Sequence, residues 1–285
     1  MAYATYKLGV GVRKHKSVLP RFATVLFGVL FLMALLVSLT VSAAASTVVV
    51  QGNTAAGENQ PGWMFNRDPG TATPYEFNTD QASIGAGSLY VQPIGAAAAD
   101  KFIAENFLLA PMADVDSISY DFMIGSGGTE ADKVHFYMNV YTTFGESNPL
   151  KFYDCRYNVV PIVGSTGGFT TVTFDPAQAY SVTTRGGAQA SPHTCPAVPA
   201  DMDTLSPGSS IRAFALNVGD TSTNDVGLDG YLDKVAVNTV DQMIYDFEPT
   251  LKPSSKEACK RSGWTAFNAP AFKNQGQCVS WVNQQ

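Results

Sequence analysis

Between residues 47 and 248 the chain breaks into short runs rich in Val, Ile, Tyr, Phe and Thr, separated by Gly, Pro, Ser and Asp. That is the signature of many short strands joined by turns. The runs lie at 47–51, 88–92, 101–108, 117–124, 134–142, 152–160, 169–174, 211–218, 231–238 and 243–247. Two of them alternate cleanly. Ile118, Tyr120, Phe122 and Ile124 interleave with Ser117, Ser119, Asp121 and Met123, and Val134, Phe136, Met138 and Val140 interleave with His135, Tyr137, Asn139 and Tyr141. A period of two sends alternate side chains to opposite faces, so each of these strands has one face in the core and one turned away. About ten such strands with no persuasive helical period predict an all-β protein, an antiparallel two-sheet sandwich of the jelly-roll kind.

Both ends differ from this body. Residues 22–41 carry no charge, follow the cluster Arg13, Lys14, Lys16 and Arg21, and precede the small residues Ala43 and Ala45. A basic lead, an apolar stretch and Ala-x-Ala make an export signal. At 20 residues the stretch is also long enough to span a bilayer. Two outcomes are open: cleavage after Ala45, or an uncleaved N-terminal anchor that ties the protein to the membrane through 22–41. Residues 1–45 are thus the signal or anchor, 46–249 the sandwich and 250–285 a tail. In that tail Ser254 and Glu257 have capping-box spacing, and Asn274 with Gln277 can start a second short helix carrying Cys278, Trp281 and Val282 on one face. All four cysteines are in the exported part, where disulfides persist. Local pairing joins Cys155 to Cys195 and Cys259 to Cys278. Their spacings of 40, 64 and 19 are not those of a zinc-binding Cys-x-x-Cys pair. The breaker-rich stretch 185–199 contains Cys195 and reads as a loop stapled by the first bond, with a binding loop as the alternative.

The run from Gly227 through Asp233 to Asn238, followed by Ile244 to Pro249, resembles the last two strands of jelly-roll modules of the carbohydrate-binding and concanavalin-like kind. Those often end in a "hydrophobic-Asp-Asn-Val" strand, and Lys234 stands here where the pattern has Asn. The resemblance covers about thirty residues and implies a scaffold, not a ligand. The tail around Cys259 and Cys278 resembles a short two-cysteine ending of secreted bacterial proteins, which implies export and a bacterial source.

Charge removes one function class. All 24 acidic residues lie beyond position 45 and face only 13 Lys and Arg there, so the body cannot neutralise a row of phosphates and is no nucleic-acid binder. Catalytic signatures are missing. Gly125-Ser126-Gly127 and Gly164-Ser165-Thr166 read as turns, and the Glu-x-Asp-x-x-Glu strand of jelly-roll glycosidases does not occur. Asp246 and Glu248 share a strand face and read as edge or cap residues. Residues Asp220 to Tyr231 place oxygens at odd positions without the Gly and Glu of an EF-hand, so the stretch reads as a polar hairpin turn and no cofactor is expected, a structural calcium in this loop being the alternative. The candidate binding residues are His135, Tyr137, Asn139 and Tyr141, sharing a surface with Asp154, Arg156 and Asn158 if the two strands pair. Aromatic rings flanked by amides and charges suit sugars. Ordinary outer-face packing is the competing account. The expectation is an exported, non-catalytic module for a glycan or cell-surface polymer, secreted or on the outer membrane face. A structural or interaction protein of the bacterial envelope is the alternative, and a jelly-roll glycoside hydrolase ranks third.

Overall fold

The computed structural model describes residues 45–67, 73–96, 100–148, 151–220, 225–268 and 270–285. The apolar run at 22–41, and with it the choice between cleavage and anchoring, lies outside the described residues. Residues 44–285 form one compact unit. It is a sandwich of two sheets. The first holds β1 (Ser46–Val50), β3 (Tyr75–Asn78), β4 (Ser88–Val91), β6 (Ser117–Ile124), β9 (Thr170–Phe174), β12 (Gly230–Asn238) and β13 (Gln242–Phe247). The second has the order β10 (Ser181–Thr184), β8 (Cys155–Val159), β7 (Phe136–Thr143), β11 (Ser210–Val218), β5 (Phe102–Pro111) and β2 (Gly62–Phe65). Every pairing is antiparallel except β1 with β13, which run parallel along an edge.

Alternation builds the core between the sheets. Ile118, Tyr120, Phe122 and Ile124 face Phe136, Met138 and Val140, all of them buried, and the Tyr120 hydroxyl donates to the Phe136 carbonyl at 2.7 Å. Rings fill one end. Trp63 meets Phe214, Tyr245 and Phe247 edge-on at 5.0–5.6 Å, arrangements that suit the aromatic quadrupole.

At the centre of the first sheet β12 changes partners along one side, pairing β4 through Gly230–Leu232 and β13 through Val235–Asn238. The switch falls at a bulge between Asp233 and Ala236. Asp233, fully buried, occupies the split: its carboxylate accepts from Ser83, Ile84, Lys234 and Phe247 amides at 2.7–3.3 Å. Lys234 turns the corner at φ 42°. In that left-handed region Asn is the side chain best tolerated after glycine, so lysine here carries backbone strain that Asn would lessen.

Both expected disulfides are present, Cys155–Cys195 and Cys259–Cys278. The first closes a 40-residue span, worth about 4 kcal/mol of unfolded-state entropy, and ties the 185–199 stretch to β8. Pro196 and Ala197 carbonyls accept from the Tyr157 hydroxyl and the Tyr180 amide, completing the attachment.

The structure corrects several expectations from sequence. Strands β2, β3 and β10 lie where the pattern suggests turns or loops. Val134 is not core: it is 47% exposed and belongs to a 3-10 helix, Glu130–His135, whose capping box joins Thr129 and Asp132. Asp154 does not reach the outer face; it is buried, held by Lys151 Nζ at 2.7 Å and the Phe144 amide at 3.1 Å. Residues 254–262 make successive tight turns rather than a helix, closed by three-residue bonds from the Cys259, Lys260 and Gly263 amides, and the chain then passes through left-handed conformations at Arg261 and Ser262. The second tail helix is Gln275–Val282, with the Asn274 side chain accepting from the Gln277 amide at 3.0 Å.

Candidate functional site

The outer face of the six-stranded sheet gathers most of the expected residues. Tyr137, Asn139 and Tyr141 alternate with core residues on β7, and register places Asn158 beside Asn139 and Arg156 beside Tyr141 on β8. On the other side β11 sets Asn217, Ala215 and Ala213 opposite the same three residues, and β5 continues the rows with Ile103, Glu105 and Phe107. The two alanines, Asn217 and Phe107 are all covered, so a ligand on this face would meet the side chains around them.

That surface has two unlike ends. At one, Tyr141 packs against Phe152 and Tyr153 at centroid distances of 5.0 and 5.2 Å. Arg67 and Arg212 lie over Phe152, and Arg185 over Tyr153, at 4.8–5.7 Å. This half-buried aromatic and guanidinium ridge stands on Phe107 and Ala213, a small apolar cluster separate from the main core. Arg67 also pairs with buried Glu105 at 2.7 Å. At the other end Tyr137 is half-buried among amides. Burial, then the Asp220 carboxylate nearby, raise its phenol above the ordinary value, so it remains a neutral hydroxyl donor at physiological pH. The side-chain oxygens of Asn158 and Asn217 are buried there with no hydrogen-bond partner. Such acceptors cost about 1–3 kcal/mol each unless a donor arrives.

His135 does not join the ring surface. It closes the 3-10 helix before β7, and its Nδ1 lies 3.5 Å from Asp220 Oδ2. Phe152, Tyr153 and Asn217 belong to the face without any sequence signal that marks them for it. Phe152 falls in a run that reads as a strand, and only the β11 register brings Asn217 opposite Tyr137.

Carboxylates gather at two further places. Asp246 and Glu248, on β13 and just beyond it, are 7% and 5% exposed, and each has an oxygen without a partner. Gly85 at φ 66° lies against both, where any larger residue would overlap them, and the Ala86 amide donates to Glu248. Burial, with Glu248 and Asp233 close by, pushes Asp246 up to about 7. The burial that raises Asp246 also keeps a glycosidic bond from reaching the pair. Their all-oxygen chemistry suits a structural calcium. In the loop where calcium was the alternative to a plain turn, Asp229 is engaged by the Tyr90 hydroxyl and the Gly127 amide at 2.8 and 2.7 Å. Asp220 and Asp225 of the same loop face His135 instead.

No family model matches the chain, and no curated protein matches it in sequence. Among solved structures it is similar to the family 11 carbohydrate-binding module from Clostridium thermocellum in complex with a β-1,3-1,4-mixed-linked tetrasaccharide. The identity is 11% and the TM-score 0.39, over 71% of this chain and 99% of that one. A xylan-binding domain from Paenibacillus barcinonensis matches at 11% identity and TM-score 0.34, over 67% and 98%. A family 30 carbohydrate-binding module matches at 12% and 0.35, over 75% and 91%. These likenesses are distant, and a functional reading has to rest on the residues of the outer face themselves.

Proposed function

We propose that the protein is an exported, non-catalytic glycan-binding module whose ligand lies along the outer face of the six-stranded sheet. The observation that carries this reading is the set of half-buried rings along that face, Tyr137 at one end and Tyr141, Phe152 and Tyr153 at the other, with Asn158 in the row between them. Sugars offer CH faces for such rings and hydroxyls for the polar groups between them. The ridge of Tyr141, Phe152 and Tyr153 extends the same surface and is stiffened by its arginines, so little side-chain entropy is lost on binding. Two disulfides suit the oxidising conditions outside the cytoplasm. A calcium held by Asp246 and Glu248 would serve the scaffold from the opposite sheet, away from the ligand.

Affinity electrophoresis in gels containing soluble plant and bacterial polysaccharides tests the proposal. At least one polymer should retard the wild type. Tyr137→Ala and Asn158→Ala should each weaken that retardation about 5- to 150-fold, from about 1–3 kcal/mol of stacking or hydrogen bonding. Retardation by no polymer would favour the envelope-structural role, and retardation indifferent to both substitutions would place the site elsewhere.

A further inference from the structure

We propose that His135, Asp220 and Asp225 form a binding site for a divalent transition metal of the zinc class at the rim of this face. One ligand atom from each residue lies within 4.8 Å of the other two. His135 Nδ1 and Asp220 Oδ2 are 3.5 Å apart. A tetrahedral zinc with ligands at about 2.0–2.2 Å separates neighbouring ligands by about 3.4 Å, so that edge already has the required length. It is too long for a charge-assisted hydrogen bond, which closes to about 2.7–2.9 Å.

The residues converge because the backbone brings them together. The Gly219 amide at the end of β11 donates to the His135 carbonyl at 3.0 Å, and the next amide, Asp220, donates to the Asp225 carboxylate. Gly219 adopts φ 82°, and a β-carbon there would come within 2.8 Å of Asp225 Oδ2, so glycine leaves the carboxylate its place. Two of the donors are otherwise unexplained. His135 is 9% exposed and Asp225 2% exposed, and among the described residues His135 Nδ1 and Asp225 Oδ1 have no hydrogen-bond partner. Buried polar atoms of this kind are rare unless something pairs with them.

Charge and donor type choose the metal. With a neutral imidazole, two carboxylates match one divalent cation. A nitrogen among three donors disfavours calcium, which takes six to eight oxygens, and favours zinc and its neighbours. Three protein ligands leave a fourth position for water or a ligand oxygen, as in open zinc sites.

The test is titration of the chelator-treated full-length protein with Zn2+ by calorimetry in excess Ca2+, with Co2+ absorption as a second readout. We expect one equivalent of zinc with a four-coordinate Co2+ spectrum. His135→Ala should weaken zinc binding by at least 10- to 100-fold, the loss typical when only an outer partner of a metal ligand is removed. Asp220→Asn, at a half-exposed side chain, repeats the measurement should His135→Ala fail to fold. No zinc binding overturns the proposal. So does zinc binding unchanged in these variants, which would place the metal at other residues.

Discussion

Replacing Tyr141 by alanine should separate packing from binding on the outer face. A fully covered tyrosine buries about 200 Å2, and a ring covered over roughly two-thirds of that area loses about 130 Å2 of contact on truncation. At about 25 cal/mol per Å2 this is about 3 kcal/mol, to which the pairs with Phe152 and Tyr153 add about 1 kcal/mol. A compact denatured state returns about a quarter, leaving about 3 kcal/mol. For a domain of this size that lowers the melting temperature by about 6–12 °C. Tyr141→Phe keeps both rings in contact and should melt within about 2 °C of wild type. Tyr137 has no ring stacked on it among the described residues, so Tyr137→Ala should cost about half as much while weakening glycan retention more. Differential scanning calorimetry of the three variants measures these shifts. Equal melting of Tyr141→Ala and wild type would refute the packed ridge, and a larger loss in Tyr137→Ala than in Tyr141→Ala would refute the assignment of the two ends.

Two further outcomes are expected. Lys234→Asn should raise stability by about 1 kcal/mol, seen as a melting shift of about 2–4 °C, because it relieves left-handed strain at φ 42° and gives up a 3.6 Å ion pair with buried Asp121, which keeps the Ser83 and Thr171 hydroxyls as donors; a lower melting temperature would show that the ion pair outweighs the backbone. Calcium added to chelator-treated protein should raise the melting temperature, by an amount equivalent to about 2.7 kcal/mol at a hundred times its dissociation constant, and Asp246→Asn should abolish the rise. A calcium response that survives Asp246→Asn would remove this pair from the account.

The parts of the fold legible in the sequence are those where one face is apolar and the other polar. β6 shows this over eight residues, and its period marks both of its ends; β11, β12 and β13 are nearly as plain. β2, β3 and β10 are four residues each, too short for alternation to stand out, and Gly62-Trp-Met-Phe65 is apolar on both faces because Met64 packs under the outer ridge while Trp63 and Phe65 enter the core. At the start of β7 two patterns compete. The alternation runs back to Val134, yet Thr129 and Asp132 have capping-box spacing, and the 3-10 turn they open takes Val134 out of the core. The same distinction governs the site. Tyr137, Asn139 and Tyr141 are joined by a local period of two, which a sequence displays directly. Asn217 joins them only through the pairing of β11 with β7, and His135 meets Asp220 and Asp225 only because β11 ends where β7 begins. Those contacts depend on register, and register is decided by the buried sets on both strands together. Val218 opposite Phe136 and Leu216 opposite Met138 hold the strands in line, and a slip of one residue would turn Asn217 into the core and Leu216 into solvent. The candidate site therefore depends on core residues that touch no ligand: the apolar faces of β7 and β11 set which polar groups meet on the other side.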